Sequence, residues 1–137
     1  ALGGLVSLHI ADRNPAGWDF VASLSGTLGW GSFAPGIDDG DDTIIDRWRG
    51  DGPRAFTVYL DSGGQGTPCA DLDGDGVWDD DDGGDNSCET IQMRDLLLDE
   101  RYVAGVDLFY LLDVGAQHNE AAWAARVGDI LVRFAQQ

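Results

Sequence analysis

The chain contains no lysine. Its 8 basic residues are all arginine and face 25 acids, which leaves a net charge of −17 at pH 7. Nothing in that balance neutralises phosphates, so nucleic acid and anionic membrane surfaces are unsuitable partners. Long apolar runs are also lacking: no stretch approaches the roughly 18 apolar residues of a membrane span. The opening Ala-Leu-Gly-Gly carries no signal peptide. No internal repeat is present. Cysteine is scarce, and the two that occur, Cys69 and Cys88, bracket an acidic run. A pair placed to close one loop reads as a disulfide rather than as two free thiols. In the chain-entropy view, closing a loop of about 20 residues stabilises by on the order of 3 kcal/mol. The 137 residues are enough for one modest domain with a core.

The apolar pattern alternates between helical and strand periods. Leu2, Leu5, Val6, Leu8 and Ile10 fall at helical spacing, and Asp12-Arg13-Asn14-Pro15 ends that helix in a turn. Gly3 and Gly4 weaken its first turn, and close packing of the helix start against a strand is one reason to keep them there. His9, inside this helix, reads as a packing or surface residue. Phe20 to Leu24 is a short apolar run expected to be a buried parallel strand. In the glycine-rich loop Gly26 to Gly36, Trp30 and Phe33 either line a pocket or cover a core edge. Asp38 to Asp42 lead into a short helix, Thr43 to Trp48. The helix's positive end is reason enough for these acids, with a second metal site as the alternative. A strand over Ala55 to Leu60, a helix over Thr90 to Arg101, a strand over Val106 to Val114 and a helix over Glu120 to Phe134 follow. The last helix sets Trp123, Val127, Ile130, Leu131 and Phe134 at core spacing. This alternation predicts an α/β domain, a three-stranded parallel sheet with helices on its faces.

Eight of the acids lie between Asp71 and Asp85. The run from Asp71 to Asp82 reads DLDGDGVWDDDD. Asp71, Asp73, Asp75, Asp79 and Asp82 occupy positions 1, 3, 5, 9 and 12, with Gly76 at position 6. That is the spacing of a twelve-residue calcium loop, in which alternate carboxylates turn inward and the backbone carbonyl at position 7, here Val77, adds a ligand. The alternative is a solvated acidic run. No EF-type helix flanks the loop, which resembles the calcium loops of thrombospondin type 3 and dockerin-like repeats. That resemblance implies an extracellular or periplasmic setting and a structural calcium. Residues 69–88 thus read as a disulfide-closed insertion in a larger unit.

His118 stands in GAQHNEAAW, Gly115 to Trp123, on a small-residue turn between a buried strand and an amphipathic helix. A ring held there is placed to move protons, and the same place suits a surface histidine beside a helix cap. Three segments together, ALGGLVSLHIADRNP, FTVYLDSGG with the later GDN, and GAQHNEAAWAARV, resemble the C-terminal half of a putative-esterase α/β-hydrolase. The relatives in view are the enterochelin-esterase-like, S-formylglutathione-hydrolase-like and mycolyltransferase-like enzymes. The likeness spans nearly the whole chain apart from the acidic insertion. In that family a serine stands on a strand-to-helix elbow, G-x-S-x-G-G. Leu2-Gly3-Gly4 matches the elbow's tail, so the serine position falls on Ala1. The resemblance makes His118 the base and Asp85 of Asp85-Asn86 the acid, with Asp61 at a strand end as the alternative acid. It makes the backbone N–H of Leu2 one oxyanion donor.

Two departures matter. Alanine cannot attack a carbonyl. The resemblance also begins at Ala1, so the family's earlier strands, its elbow strand and its second oxyanion donor are not in this sequence. Three parallel strands alone would expose an apolar face and an unpaired edge. The expectation is therefore a partial α/β-hydrolase domain over residues 1–137 that needs a missing N-terminal half or a second chain. Two functions follow from the resemblance. One is a serine-type carboxylic ester hydrolase acting on a small-molecule or acyl-ester substrate, with this chain supplying histidine and acid. The other is a catalytically inactive, calcium-stabilised binding or assembly module on the same fold. A stand-alone calcium-binding domain fits less well, because the acidic loop is an insertion and not a repeat.

Overall fold

A computed structural model describes residues 1–30, 43–80 and 85–137. Phe33, the acids from Asp38 to Asp42, and Asp82 lie outside the described residues. The described elements are α1 (Leu2–Arg13), a 3-10 turn (Pro15–Gly17), β1 (Phe20–Leu24), α2 (Ile44–Trp48), β2 (Thr57–Ser62), β3 (Cys69–Ala70), β4 (Asp79–Asp80), α3 (Ser87–Asp99), β5 (Leu108–Leu112) and α4 (Glu120–Phe134). The main sheet has the order β1-β2-β5, with both pairings parallel. β3 and β4 form a separate two-residue antiparallel ladder. The architecture is α/β, a parallel three-stranded sheet with flanking helices.

Side chains alternate across the sheet. Val58 and Leu60 of β2 join Leu5, Leu8 and Ala11 of α1, Ile44, Ile45 and Trp48 of α2, and Met93, Leu96 and Leu97 of α3 in one apolar core. Thr57, Tyr59 and Asp61 point to the other face. There Arg126 of α4 meets Asp61, and Phe134 sets its ring edge-on to Phe20 of β1. Of the two glycines in α1, Gly4 has the packing reason expected and Gly3 does not, since a Cβ on Gly3 would meet open space. A Cβ on Gly4 would collide with the Ser23 side chain and with the backbone of Gly26. At the far end of α1, Asp12 accepts from Arg47 at 3.1 Å and from Arg54 at 2.8 Å, which ties the helix to α2 and to the approach to β2.

Several boundaries differ from expectation for nonlocal reasons. β2 runs to Ser62 rather than Leu60, because Asp61 and Ser62 still pair with Leu111 and Leu112 of β5. β5 is shorter than Val106 to Val114, because Asp107 accepts from the Val103 N–H at 2.6 Å and closes a turn ahead of the strand. α3 starts at Ser87 and not at Thr90. The Asp80 carboxylate accepts from Ser87 Oγ and from the Cys88 N–H, a cap supplied from seven residues back. The core expected of α4 is only partly built. Ile130 is buried and Trp123 half-buried, whereas Val127, Leu131 and Phe134 are exposed. Leu131 and Phe134 keep 60% and 59% of their surface, because α4 packs on a sheet only three strands wide. Leu2, Val6 and Ile10 of α1 are likewise exposed, on the side where β1 is the sheet edge.

Candidate active site

In a parallel sheet the loops that leave the strand carboxyl ends converge on one rim, where ligands bind. Here three such loops are stitched together. The Ser25 N–H after β1 donates to the Asp61 carbonyl at 2.9 Å. Asp113 donates to the Ser62 carbonyl, Gly64 to Ala116 and Gly115 to Gly64, each at 2.9 Å. The ladder thus continues past β2 and β5 into the turn that carries His118. A side chain at Gly63 would run into the Ala116 carbonyl, so this close approach requires glycine.

Asp85 is fully buried beneath that rim. Its Oδ2 accepts from the Gly63 N–H at 2.6 Å, from Ser25 Oγ, and from Arg126 at 3.2 Å. Its Oδ1 lies 2.5 Å from Nδ1 of His118. The His118 side chain is 31% exposed. It borders an open cavity of about 380 Å³ shared with Ala1, Leu2, Thr27, Trp30 and Asn86. With Nδ1 turned into Asp85, Nε2 is the nitrogen left for the cavity. The approach is a close polar contact and not an aligned hydrogen bond, since Asp85 Oδ1 has no hydrogen-bond partner among the described residues; a neutral ring that comes to donate from Nδ1 to a carboxylate presents Nε2 as a proton acceptor. The Ala1 carbonyl accepts from Gly4 at 3.1 Å and from Thr27 at 3.4 Å, which fixes the start of α1 at the cavity wall. Leu2 is the first residue of α1, and the first N–H groups of a helix have no partner within it.

The sequence HNEAAW has a local physical reading. Asn119 is the N-cap of α4 and accepts from the Ala122 N–H at 3.0 Å. The cap fixes the direction in which the helix leaves the turn. Trp123 then sets its ring edge-on to His118, 5.0 Å between centroids, and donates from Nε1 to Ser25 Oγ at 3.2 Å. The chain matches no known protein family profile, no curated protein and no solved structure.

The structure thus brings His118, Asp85, Ala1 and Leu2 to one place. Asp61 stands apart from the histidine. It is fully buried inside β2, where its described ion-pair partner is Arg126 at 3.3 Å. Burial holds the Asp61 carboxyl above its usual range, and Arg126 opposes that rise. Sequence reasoning assigned Trp123 to the core and did not single out Ser25 or Arg126. Arg126 had left a signal. Trp123, Arg126 and Ile130 follow an i, i+3, i+7 stripe on α4, and an arginine inside an apolar stripe calls for a buried counter-charge. Ser25 left none, because its backbone φ of 46° and its hydroxyl partners are set by chain segments far away in sequence.

Between Asp61 and Asp85 the chain enters the acidic loop, closed by the Cys69–Cys88 disulfide. One carboxylate oxygen each of Asp71, Asp73 and Asp79 lie within 4.8 Å of one another, a group that could hold a metal ion. Asp71 accepts from the Gly74 and Gly76 N–H groups at 2.7 and 3.0 Å, which folds the turn around it. Asp75 stands outside the group and accepts from the Val77 N–H. All these donors are oxygens, as a hard cation demands. Val77 is buried against Gly29, next to Trp30 of the cavity. Gln92 of α3 grips the loop through the Gly76 carbonyl at 2.7 Å and the Trp78 N–H at 2.9 Å.

Proposed function

We propose that this chain is the C-terminal half of an esterase-type α/β-hydrolase site, with His118 as general base and Asp85 as its orienting acid. The observation that supports this most is the 2.5 Å contact between His118 Nδ1 and the buried Asp85, at a cavity that Ala1 and Leu2 also border. In such a site Nε2 takes the proton of a hydroxyl as its oxygen attacks an ester carbonyl. Asp85 stabilises the imidazolium, which then returns the proton to the leaving alcohol. The Leu2 N–H is the donor available to the developing oxyanion. The nucleophile belongs at position 1 or on a preceding segment, since Ala1 has no hydroxyl. Among the described residues β1 pairs with a strand on one side only, and this edge and the exposed apolar residues of α1 and α4 fit a preceding half or a second chain. The acidic loop is read as a calcium site made by Asp71, Asp73 and Asp79, with Asp75, Asp82 and the Val77 carbonyl as further ligands and a structural role. The disulfide favours an extracellular or periplasmic location, and among the described residues no helix is long and apolar enough to cross a membrane.

Alanine at position 1 favours a second reading, a non-catalytic module on the same fold. One experiment separates them. Short p-nitrophenyl esters are offered to the complete molecule, to its Ala1→Ser variant, and to that variant with His118→Ala. Hydrolysis that appears with serine and is lost with His118→Ala supports the esterase reading. Absence of hydrolysis in every form, with the fold intact, leaves the binding module.

A further inference from the structure

Asp85 has a problem that histidine does not solve. It is a carboxylate with no exposed surface. A buried carboxylate needs a cation beside it. A general base in waiting, the role proposed for His118, supplies no counter-charge. Arg126 does. It is 3% exposed and its Nη2 reaches Asp85 Oδ2 at 3.2 Å. The same guanidinium faces Asp61 at 3.3 Å and Asp113 at 3.6 Å.

Arg126 also acts through a hydroxyl. It donates to Ser25 Oγ at 2.8 Å, and Trp123 Nε1 donates to the same oxygen at 3.2 Å. A hydroxyl oxygen has two lone pairs, and both are now taken. Its own hydrogen must therefore go to an acceptor, and the acceptor in reach is Asp85 Oδ2. Together with the Gly63 N–H, that oxygen receives three donors. The carboxylate cannot rotate without losing all three, so Oδ1 stays turned to His118.

We infer that Arg126 and Ser25 are positioning residues that hold the buried Asp85 carboxylate aimed at His118. The inference rests on the reading of His118 and Asp85 as a catalytic pair. Its primary readout does not need catalysis, so the two can fail separately. A histidine N–H held in a strong bond to a carboxylate gives a proton resonance far downfield of the amide region. The experiment records the His118 Nδ1–H resonance by NMR in the chain itself, assigned by its loss in His118→Ala.

The variant is Arg126→Met combined with Asp61→Asn, so that no second buried carboxylate is orphaned. Expected is loss of the downfield resonance while the amide spectrum stays dispersed. Arg126→Lys, which keeps the charge without the planar fork, should retain it in weakened form. Should the double variant not fold, Ser25→Ala carries the test, with an upfield shift of the same resonance expected. In an active complete molecule the double variant should lose on the order of 10²-fold in kcat with KM unchanged. A resonance unmoved in the folded double variant, or in Ser25→Ala, overturns the inference. A resonance that is lost while no form hydrolyses esters upholds the positioning and removes only the esterase reading.

Discussion

Two clusters of carboxylates lie close together in this chain, the acidic loop falling between Asp61 and Asp85, and they balance their charge by opposite means. Under the sheet rim, Asp61 and Asp85 are both fully buried and share Arg126. In the acidic loop, Asp71, Asp73 and Asp79 lie near the surface, and among the described residues no cation pairs with them. The first cluster carries its counter-charge in the sequence. The second uses backbone N–H groups to shape the turn and leaves oxygens directed at one another. The difference teaches where the charge must come from: a side chain that folding can bury, or an ion from solution. It also separates their conditions, because divalent ions should act on the loop directly and on the rim only through a residue that couples the two.

The largest effect expected is at the rim. Arg126→Met leaves two buried carboxylates without their cation, a loss of about 3–5 kcal/mol in folding stability. Adding Asp61→Asn should recover a substantial part of that loss, because one of the two orphaned charges disappears. Urea denaturation of the three proteins checks this. If Arg126→Met costs no more than a surface substitution, the guanidinium is not the rim's counter-charge and the contrast fails.

The loop should answer to calcium. Binding to the folded state alone stabilises by about 2.7 kcal/mol at a hundredfold excess over Kd. Thermal melts should therefore rise with added calcium and fall again with chelator. Asp71→Asn with Asp73→Asn should abolish the response and leave the calcium-free melt unchanged or raised, since fewer like charges then repel. A melting temperature blind to calcium would return the loop to a solvated acidic run.

How much of this was legible beforehand follows the same division. The α/β alternation and the sheet's three strands were readable, because each element carries its own period. So was the acidic group, since a metal-loop spacing is local. The boundaries of α3 and β2 were not, for Asp80 caps one and β5 extends the other from elsewhere in the chain. At the rim, the place of His118 was readable from its turn, Asp85 was reached only through resemblance, and their 2.5 Å approach is a tertiary fact. Ser25 and Arg126 are separated by 101 residues and meet through a fold that no window of sequence contains. The exposed stripe on α4 was misjudged because periodicity says which side of a helix is apolar, not whether a neighbour covers it.

Glu89 lies where the two regions meet, and it offers the smallest and most informative test. It stands in the first turn of α3 and accepts from the Gly29 N–H at 2.8 Å, beside the point where Val77 of the loop packs. Burial, reinforced by Asp80 and Asp75, raises its carboxyl to about 7, while the Gly29 and Leu28 N–H groups oppose the rise. The sign follows from linkage. Between the ordinary value of 4.5 and about 7 the unfolded chain has released this proton and the folded chain has kept it. Stability from this group therefore falls as pH rises through that window and is fully lost above it. Glu89→Gln keeps an oxygen for Gly29 but cannot ionise, so its stability difference between about pH 5 and about pH 8 should be smaller than that of the parent. Calcium in the loop would offset Asp75 and pull Glu89 down, so it should flatten the parent's pH dependence and leave that of Glu89→Gln alone. Equal slopes for parent and variant would mean that loop and rim do not communicate through this carboxylate. A slope that calcium abolishes only in the parent would mean that the ion's charge is felt at Glu89, which holds the Gly29 N–H.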